Sequence, residues 1–478
     1  MTDYDILPYP NYTFTQTHPD RLAAIARVFD VNSAPPESAN VLEIGCARGS
    51  NILPMAESLP NASFLGIDSS PVQVEAAKKD LNATGLSNAE FICKDLRDVG
   101  DRKFDYIISH GVFSWVDSET QESIFSICEK NLKPGGVVYI SYNTNPGWKT
   151  RSTIREMLLY HIDRSASPKA VVQQSRAFLR FLAETTNNKN DPYSLVLQRE
   201  SEMIRQMPDG YFFHDHLEQE NNPLYFHEFV ERAAKHDLQY LADADLSTMT
   251  ARDFSPETQD TLRVLSSGQL TRMEQYLDFL RNRPFRCSLL VRNGFAINRK
   301  VEVTAIQRLY VSANLEVADE DFKRPDGVTI SVRSSSAQNL VKKVARLWPS
   351  RLPVSELSPG EQREALDLIF SGVLGINTLP SPAAAVMGEL PLSSSVARVQ
   401  ASYSSVVSNL AHELVSLSPL AREVLKQCNG AMSLTGIQEN IRGKLKSPTA
   451  GDKNQKLSIS EREIAGALEE LLRKALLK

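Results

Sequence analysis

The sequence predicts an α/β protein organised around a doubly wound sheet, and three observations predict it. Short apolar runs alternate with helical stretches, each run ends in an acidic or small polar residue, and glycine or proline punctuates the junctions. Such alternation implies parallel strands with ligands at their carboxyl ends. In order, the first run is Val41-Leu42-Glu43-Ile44, opening into the turn Gly45-Cys46-Ala47-Arg48-Gly49-Ser50. The second, Phe64 to Ile67, ends at Asp68, and the third, Ala89 to Lys94, ends at Asp95. A fourth, Phe104 to Ser109, leads into His110-Gly111. Then Leu132-Lys133-Pro134-Gly135-Gly136 stops a helix and starts a fifth strand over Val137 to Ser141. Helical patterns fill Pro71 to Asn82 and Thr120 to Asn131.

The first turn carries chemistry. Dinucleotide sites use G-x-G-x-x-G, with a helix N-terminus aimed at a pyrophosphate. Here the spacing is E-x-G-x-x-x-G, with Glu43 just before Gly45. A carboxylate there repels a phosphate but suits the amino group of a methionine-like moiety, which favours S-adenosylmethionine over NAD. Gly45, Cys46, Gly49 and Asn51 would then line the turn, although glycine after a buried strand also marks plain tight turns. Asp68, with Ser69 beside it, stands where doubly wound folds receive ribose hydroxyls. Asp95 and Leu96 would frame the adenine. Ser109 and His110 sit where the fourth strand meets the transferable methyl, His110 being equally readable as a hydrogen-bonded structural histidine.

Residues 41 to 141 resemble the class I S-adenosylmethionine-dependent methyltransferase core, which implies a Rossmann-like sheet of seven strands. Tyr9-Pro10 and Phe14 to Asp20 before the core, His110 to Val116, and Tyr142 to Trp148 narrow the resemblance. They are similar to bacterial methyltransferases carrying a methyltransferase regulatory domain, which include rickettsial lysine methyltransferases of outer-membrane proteins. The resemblance extends through at least residue 293. It implies S-adenosylmethionine as cofactor and a protein presenting lysines as partner. Ala47 departs from the pattern, standing where the wider fold has its middle glycine, and implies a loop set slightly farther out. Tyr9, Phe14, Thr17 and His18 either fold over the cofactor and exclude water or anchor a surface helix.

A lysine acceptor must be neutral to attack, and with a side-chain pKa near 10.4 deprotonation at neutral pH costs roughly 4 kcal/mol. The site then needs an apolar or aromatic sleeve and a polar group to orient the nitrogen. Trp115, Tyr142, Asn143 and Trp148 answer that description, with core packing as the alternative for each. In Tyr211-Phe212-Phe213-His214-Asp215-His216-Leu217-Glu218, adjacent acids and histidines on a loop rarely converge on a metal. The block reads instead as the mouth of the site, with His214 or Asp215 as proton acceptor or substrate contact.

Sixth and seventh strands are expected at Leu238 to Ala242 and Phe285 to Val291, closing the sheet near residue 292. Residues 1–293 would thus form the catalytic domain, with 151–222 a helical insertion serving as lid or oligomerisation arm, the latter giving a homodimer. Residues 294–380 read as a mixed α/β middle domain and 381–478 as a helix-rich, winged-helix-like domain suited to protein contact. Lys444, Lys446, Lys453 and Lys456 read as a solvated basic loop. The 478 residues carry a net charge of −5, which offers no footprint for a nucleic-acid backbone. Five scattered cysteines without C-x-x-C spacing fit reduced thiols. No apolar run is long enough to span a bilayer, and the first residues lack signal-peptide regions, so a cytoplasmic location without membrane insertion is expected. A small-molecule methyltransferase and a non-catalytic cofactor-binding scaffold remain the competing readings.

Overall fold

The computed structural model describes residues 12–446 and 460–478, apart from positions 164, 187, 189, 190 and 320. Tyr9 and the lysines at 453 and 456 lie outside the described residues. Strands β1 (Asn40–Ile44), β2 (Ser63–Asp68), β3 (Ala89–Cys93), β4 (Phe104–Ser109), β5 (Leu132–Asn143), β6 (Leu238–Asp243) and β7 (Phe285–Arg292) form one sheet. Its order is β3-β2-β1-β4-β5-β7-β6. The first five strands pair in parallel, and β7 runs antiparallel between β5 and β6. Helices cover both faces, which explains why β1 and β4 are almost wholly buried and read as continuous apolar runs.

Strand order reverses between β1 and β4, which opens a crevice at their carboxyl ends. Local sequence sets the helices around it. Helix α1 (Pro19–Val28) packs against the sheet, and α2 (Ile52–Ser58) follows the glycine turn. Helix α3 (Pro71–Thr84) starts where the Ser70 hydroxyl accepts the amide of Gln73, with Pro71 in its first turn, and ends at left-handed Gly85. Asp117 caps α4 (Ser118–Asn131) in the same way. Across the strands Glu43 stands opposite Gly66. A Cβ on Gly66 would lie 2.8 Å from Cys46 Sγ and Phe91, so this glycine lets the first turn settle onto the sheet.

Four helices follow β5: α5 (Gly147–His161), α6 (Pro168–Thr185), α7 (Pro192–Gln206) and α8 (Asp209–Leu217). They begin four residues before the 151 expected for a helical insertion and hold their own apolar cluster around Leu158, Val172, Leu197 and Phe212. The block around His214 is thus a helix and not a loop. Helices α9 (Phe226–Ala234), α10 (Pro256–Ser266) and α11 (Leu270–Arg281) complete the surround of the sheet. At its edge the fully buried Arg286 bridges Glu274 at 2.9 Å and Asp278 at 2.8 Å and lies over the Phe226 ring. These partners satisfy a charge that burial alone would make very costly.

Residues 294–380 carry short strands, together with α12 (Ser335–Arg346) and α13 (Pro359–Phe370). Their core is not separate: Val311, Val341, Ala365 and Ile376 belong to one cluster with Leu22, Ile25, Val41 and Tyr139. The C-terminal part holds α14 (Ser395–Gln400), α15 (Pro419–Leu425), α16 (Leu434–Lys446) and α17 (Glu461–Arg473), with a hairpin of β-strands Val406–Ser408 and Leu414–Ser416. It has its own cluster, centred on Val424, Ile437, Ile464 and Leu471. Among the described residues, no helix is long and apolar enough to cross a membrane.

Candidate active site

A cavity of about 630 Å³ opens at the carboxyl edge of β1, β2, β4 and β5, roofed by the segment before α1 and by α8. One half is built by the strand tips. Glu43 is 4% exposed. Its Oε1 accepts from Asn51 Nδ2 at 2.7 Å, while Oε2 has no hydrogen-bond partner among the described residues. Burial pushes this carboxyl up to about 7, the Asn51 bond opposing and Asp68 reinforcing the rise. An orphaned carboxylate oxygen in a buried wall calls for a cationic donor. The α-ammonium of S-adenosylmethionine is one, so the residues present fit that cofactor.

Asp68 fixes the turn from the neighbouring strand. Its Oδ2 accepts the amide of Ala47 at 2.8 Å and its Oδ1 that of Ser70 at 2.9 Å. Gly45 and Ala47 both take left-handed conformations, φ 74° and 44°. A Cβ on Gly45 would strike Val112 at 2.3 Å, so no other residue fits there. Ala47 keeps the conformation a glycine would adopt freely, at a cost of about 1 kcal/mol, and the bond to Asp68 offsets it. Cys46, Asn51, Ser69 and Leu96 also line this half. His110 shares a hydrogen bond with the Tyr139 hydroxyl at 2.9 Å and stacks on Phe14 with centroids 3.6 Å apart. Burial lowers it to about 3, leaving a neutral ring that does not repel a sulfonium.

The other half is aromatic. Trp115 and Trp148 meet almost perpendicularly, 84° with centroids 6.0 Å apart, and Trp148 Nε1 donates to Asn221 Oδ1 at 2.6 Å. Tyr12 and Tyr211 meet edge to face at 6.4 Å. Asn143 Nδ2 is buried without a partner among the described residues, and the residue lines the cavity. His214 and Asp215 reach it from α8, and burial raises the Asp215 carboxyl to about 6 against the opposing Tyr211 hydrogen bond and the nearby Arg151.

Several expected positions lie elsewhere. Asp95 turns outward and pairs with Arg97 at 2.7 Å, so the wall expected of it is formed by Lys94 and Leu96. Tyr142 stacks on Phe229 at 4.1 Å and bonds Ser288, because alternate residues of β5 face opposite sides of the sheet. Ser109 is fully buried beneath the cavity. His18 caps α1, accepting from the amide of Asp20, and bonds Ser58 at 2.9 Å. Thr17 sits one bond behind the wall, accepting from Asn51 at 2.9 Å. Gly49 supports the turn from below, where a Cβ would enter the Phe91 ring. Gln16, Arg48, Arg151 and Phe285 line the cavity unforeseen, while Tyr211 lines it from the block expected at its mouth. Helical spacing carried a signal for one of them: Arg151 follows Trp148 by three residues. Among the described residues, no group of three or more histidine, cysteine, aspartate or glutamate side chains is placed to hold a metal ion.

A sheet of this order, with such a carboxylate at the tip of β1 and an acid at the tip of β2, is that of an S-adenosylmethionine-dependent methyltransferase. Three family models match the chain. They are a methyltransferase domain over residues 41–136, a predicted methyltransferase regulatory domain over 208–292, and a PKMT C-terminal winged helix domain over 389–478. The uncharacterized protein RP789 of Rickettsia prowazekii is 33% identical, over 98% of this chain and 91% of its own length. A second from that organism, RP028, is 38% identical over 50% of this chain and 96% of its own. The structure of PKMT2 from Rickettsia typhi in complex with AdoHcy superposes with a TM-score of 0.84 at 28% identity, covering 98% of this chain and all of that one. The chain belongs to this family of rickettsial PKMT-like methyltransferases, and its cofactor is S-adenosylmethionine.

Proposed function

We propose that the chain methylates lysine side chains of a protein, of the outer-membrane-protein type. The observation that carries this reading is that the perpendicular Trp115 and Trp148 and a buried carboxyl, Asp215, raised to about 6, line one cavity. When bound, the cofactor supplies a methyl on a sulfonium, ready for in-line displacement. Glu43 would hold its amino end and Asp68 its ribose. Trp115 and Trp148 would sheathe the aliphatic stem of the acceptor and strip water from its amine. Asn143 would orient the nitrogen, and Asp215, directly or with His214, would take the proton that the amine must lose. The likeness to PKMT2 supports a protein lysine as acceptor. The net charge of −5 favours a cationic partner over nucleic acid, and the insertion exposes Tyr160 and Phe181 as a surface for a homodimer. A cytoplasmic location is part of the same reading.

The test incubates the protein with methyl-labelled S-adenosylmethionine and a bacterial lysate split into protein and small-molecule fractions. Base-stable label on protein, recovered as methyl-lysine after hydrolysis, is the expected result. Label confined to small molecules would overturn the proposal.

A further inference from the structure

The C-terminal domain reaches into the wall of the cofactor cavity. His412 lies in the turn of its hairpin, buried, with φ 61°. Its Nε2 lies 2.9 Å from Asn51 Oδ1. An amide oxygen only accepts, so the imidazole is the donor. The Phe14 amide donates to the same oxygen at 2.9 Å, which leaves Asn51 Nδ2 aimed at Glu43, 2.7 Å away. The backbone is tied as well, Thr15 Oγ1 donating to the His412 carbonyl at 2.7 Å. Burial keeps the ring neutral, as a fixed donor requires. A second contact grips the same turn. The Tyr403 ring lies 4.2 Å from the Arg48 guanidinium, and both side chains bond Asp80, at 3.2 and 2.7 Å. Arg48 and Asn51 both line the cavity. The domain is anchored close by, Glu57 accepting from the Ser395 amide at 2.6 Å and from Lys478 at 2.9 Å.

We propose that the C-terminal domain completes the cofactor site, His412 and Tyr403 being positioning residues that hold Asn51 and Arg48 in their binding orientation. Without the His412 donor, Asn51 is held only by the Phe14 amide and Thr17, and the hydrogen bond that orders the Glu43 carboxylate is held less firmly. The winged-helix fold thus acts as a clamp on the glycine turn, and its displacement lowers affinity for the cofactor. This proposal rests on the cofactor alone and is independent of the acceptor.

The test measures S-adenosylhomocysteine binding to the full chain by calorimetry at pH 8, with no acceptor present. His412→Asn suits the left-handed backbone but its amide stops short of Asn51, whereas His412→Gln restores the reach. The first should weaken binding about tenfold and the second by less than about threefold. Tyr403→Leu, at a site 41% exposed and so tolerant of change, should weaken it about threefold. In turnover, His412→Asn should raise KM for S-adenosylmethionine and leave kcat within about twofold. Parent-like binding by both His412→Asn and Tyr403→Leu would overturn the proposal, as would equal losses in the two His412 variants, which would mark a space-filling role. Should His412→Asn fail to fold, Tyr403→Leu decides.

Discussion

The two halves of the cavity are built by different rules. The cofactor half gathers Glu43, Gly45, Asp68 and His110 from the tips of adjacent strands, each fixed by the sheet and its turns. The aromatic half, proposed to take the acceptor, gathers Trp115, Trp148, Tyr211 and Asp215 from a short turn and two helices that rest on a cluster of their own. On the proposed reading, cofactor binding sits on the rigid sheet, and selection of the acceptor sits on helices with a core of their own. Binding of cofactor and turnover of acceptor should therefore respond to separate sets of substitutions.

The largest expected effect is on the acceptor side. Asp215→Asn should lower kcat about 1000-fold while S-adenosylhomocysteine affinity stays within about twofold; a parallel loss in both would merge the halves. Next, Glu43→Gln should weaken S-adenosylhomocysteine binding about 100-fold, or about 2.7 kcal/mol by calorimetry, because the ammonium loses its charged partner. Trp148→Leu should raise KM for the protein acceptor about tenfold and leave cofactor affinity unchanged in steady-state kinetics.

The last effect is graded with pH and is smallest near neutrality. Glu43 must be ionised to hold an ammonium, and burial has moved it to about 7. Affinity for S-adenosylhomocysteine should then be flat above pH 7 and fall about tenfold per unit below it, with proton release on binding. The free protein moves the other way. A carboxyl raised from its unfolded value near 4.5 lends stability below that value, and the contribution is lost as pH rises through 7. Thermal melts of free and liganded protein at pH 5.5 and 8 should show both trends, and Glu43→Gln should flatten them.

The same division governs what could be read from the sequence. Strand ends, the glycine turn and the acids at 43 and 68 are local, so spacing alone placed them on one sheet edge. Asp95 misled because its rank at a strand tip says nothing of which way the side chain turns, and Arg97, two residues on, drew it outward. Tyr142 and Asn143 are neighbours, and only the register of β5 decides that one is core and the other wall. His18 carried two readings, a fold over the cofactor or the anchor of a surface helix, and could not be decided locally because its partners, Ser58 and His412, come from 40 and 394 residues away. His412 itself carried no local signal at all. A histidine in a hairpin turn acquires meaning only when a separate domain folds against the first.

The core shared by α1, the sheet and residues 294–380 has a consequence for how the molecule comes apart. Leu22 and Ile25 pack in one cluster with Val311 and Ile376, so no apolar surface on this side is complete without both segments. Unfolding there is expected to be a single cooperative event, and a protease acting on the native chain should leave 294–380 attached to the catalytic region. Rearrangement by gene fusion or domain loss is tolerated only at seams that bury little. In this chain the insertion keeps a core of its own, whereas the C-terminal domain, besides its own core, places Val396 in the shared cluster and Ser394 against the buried Glu57.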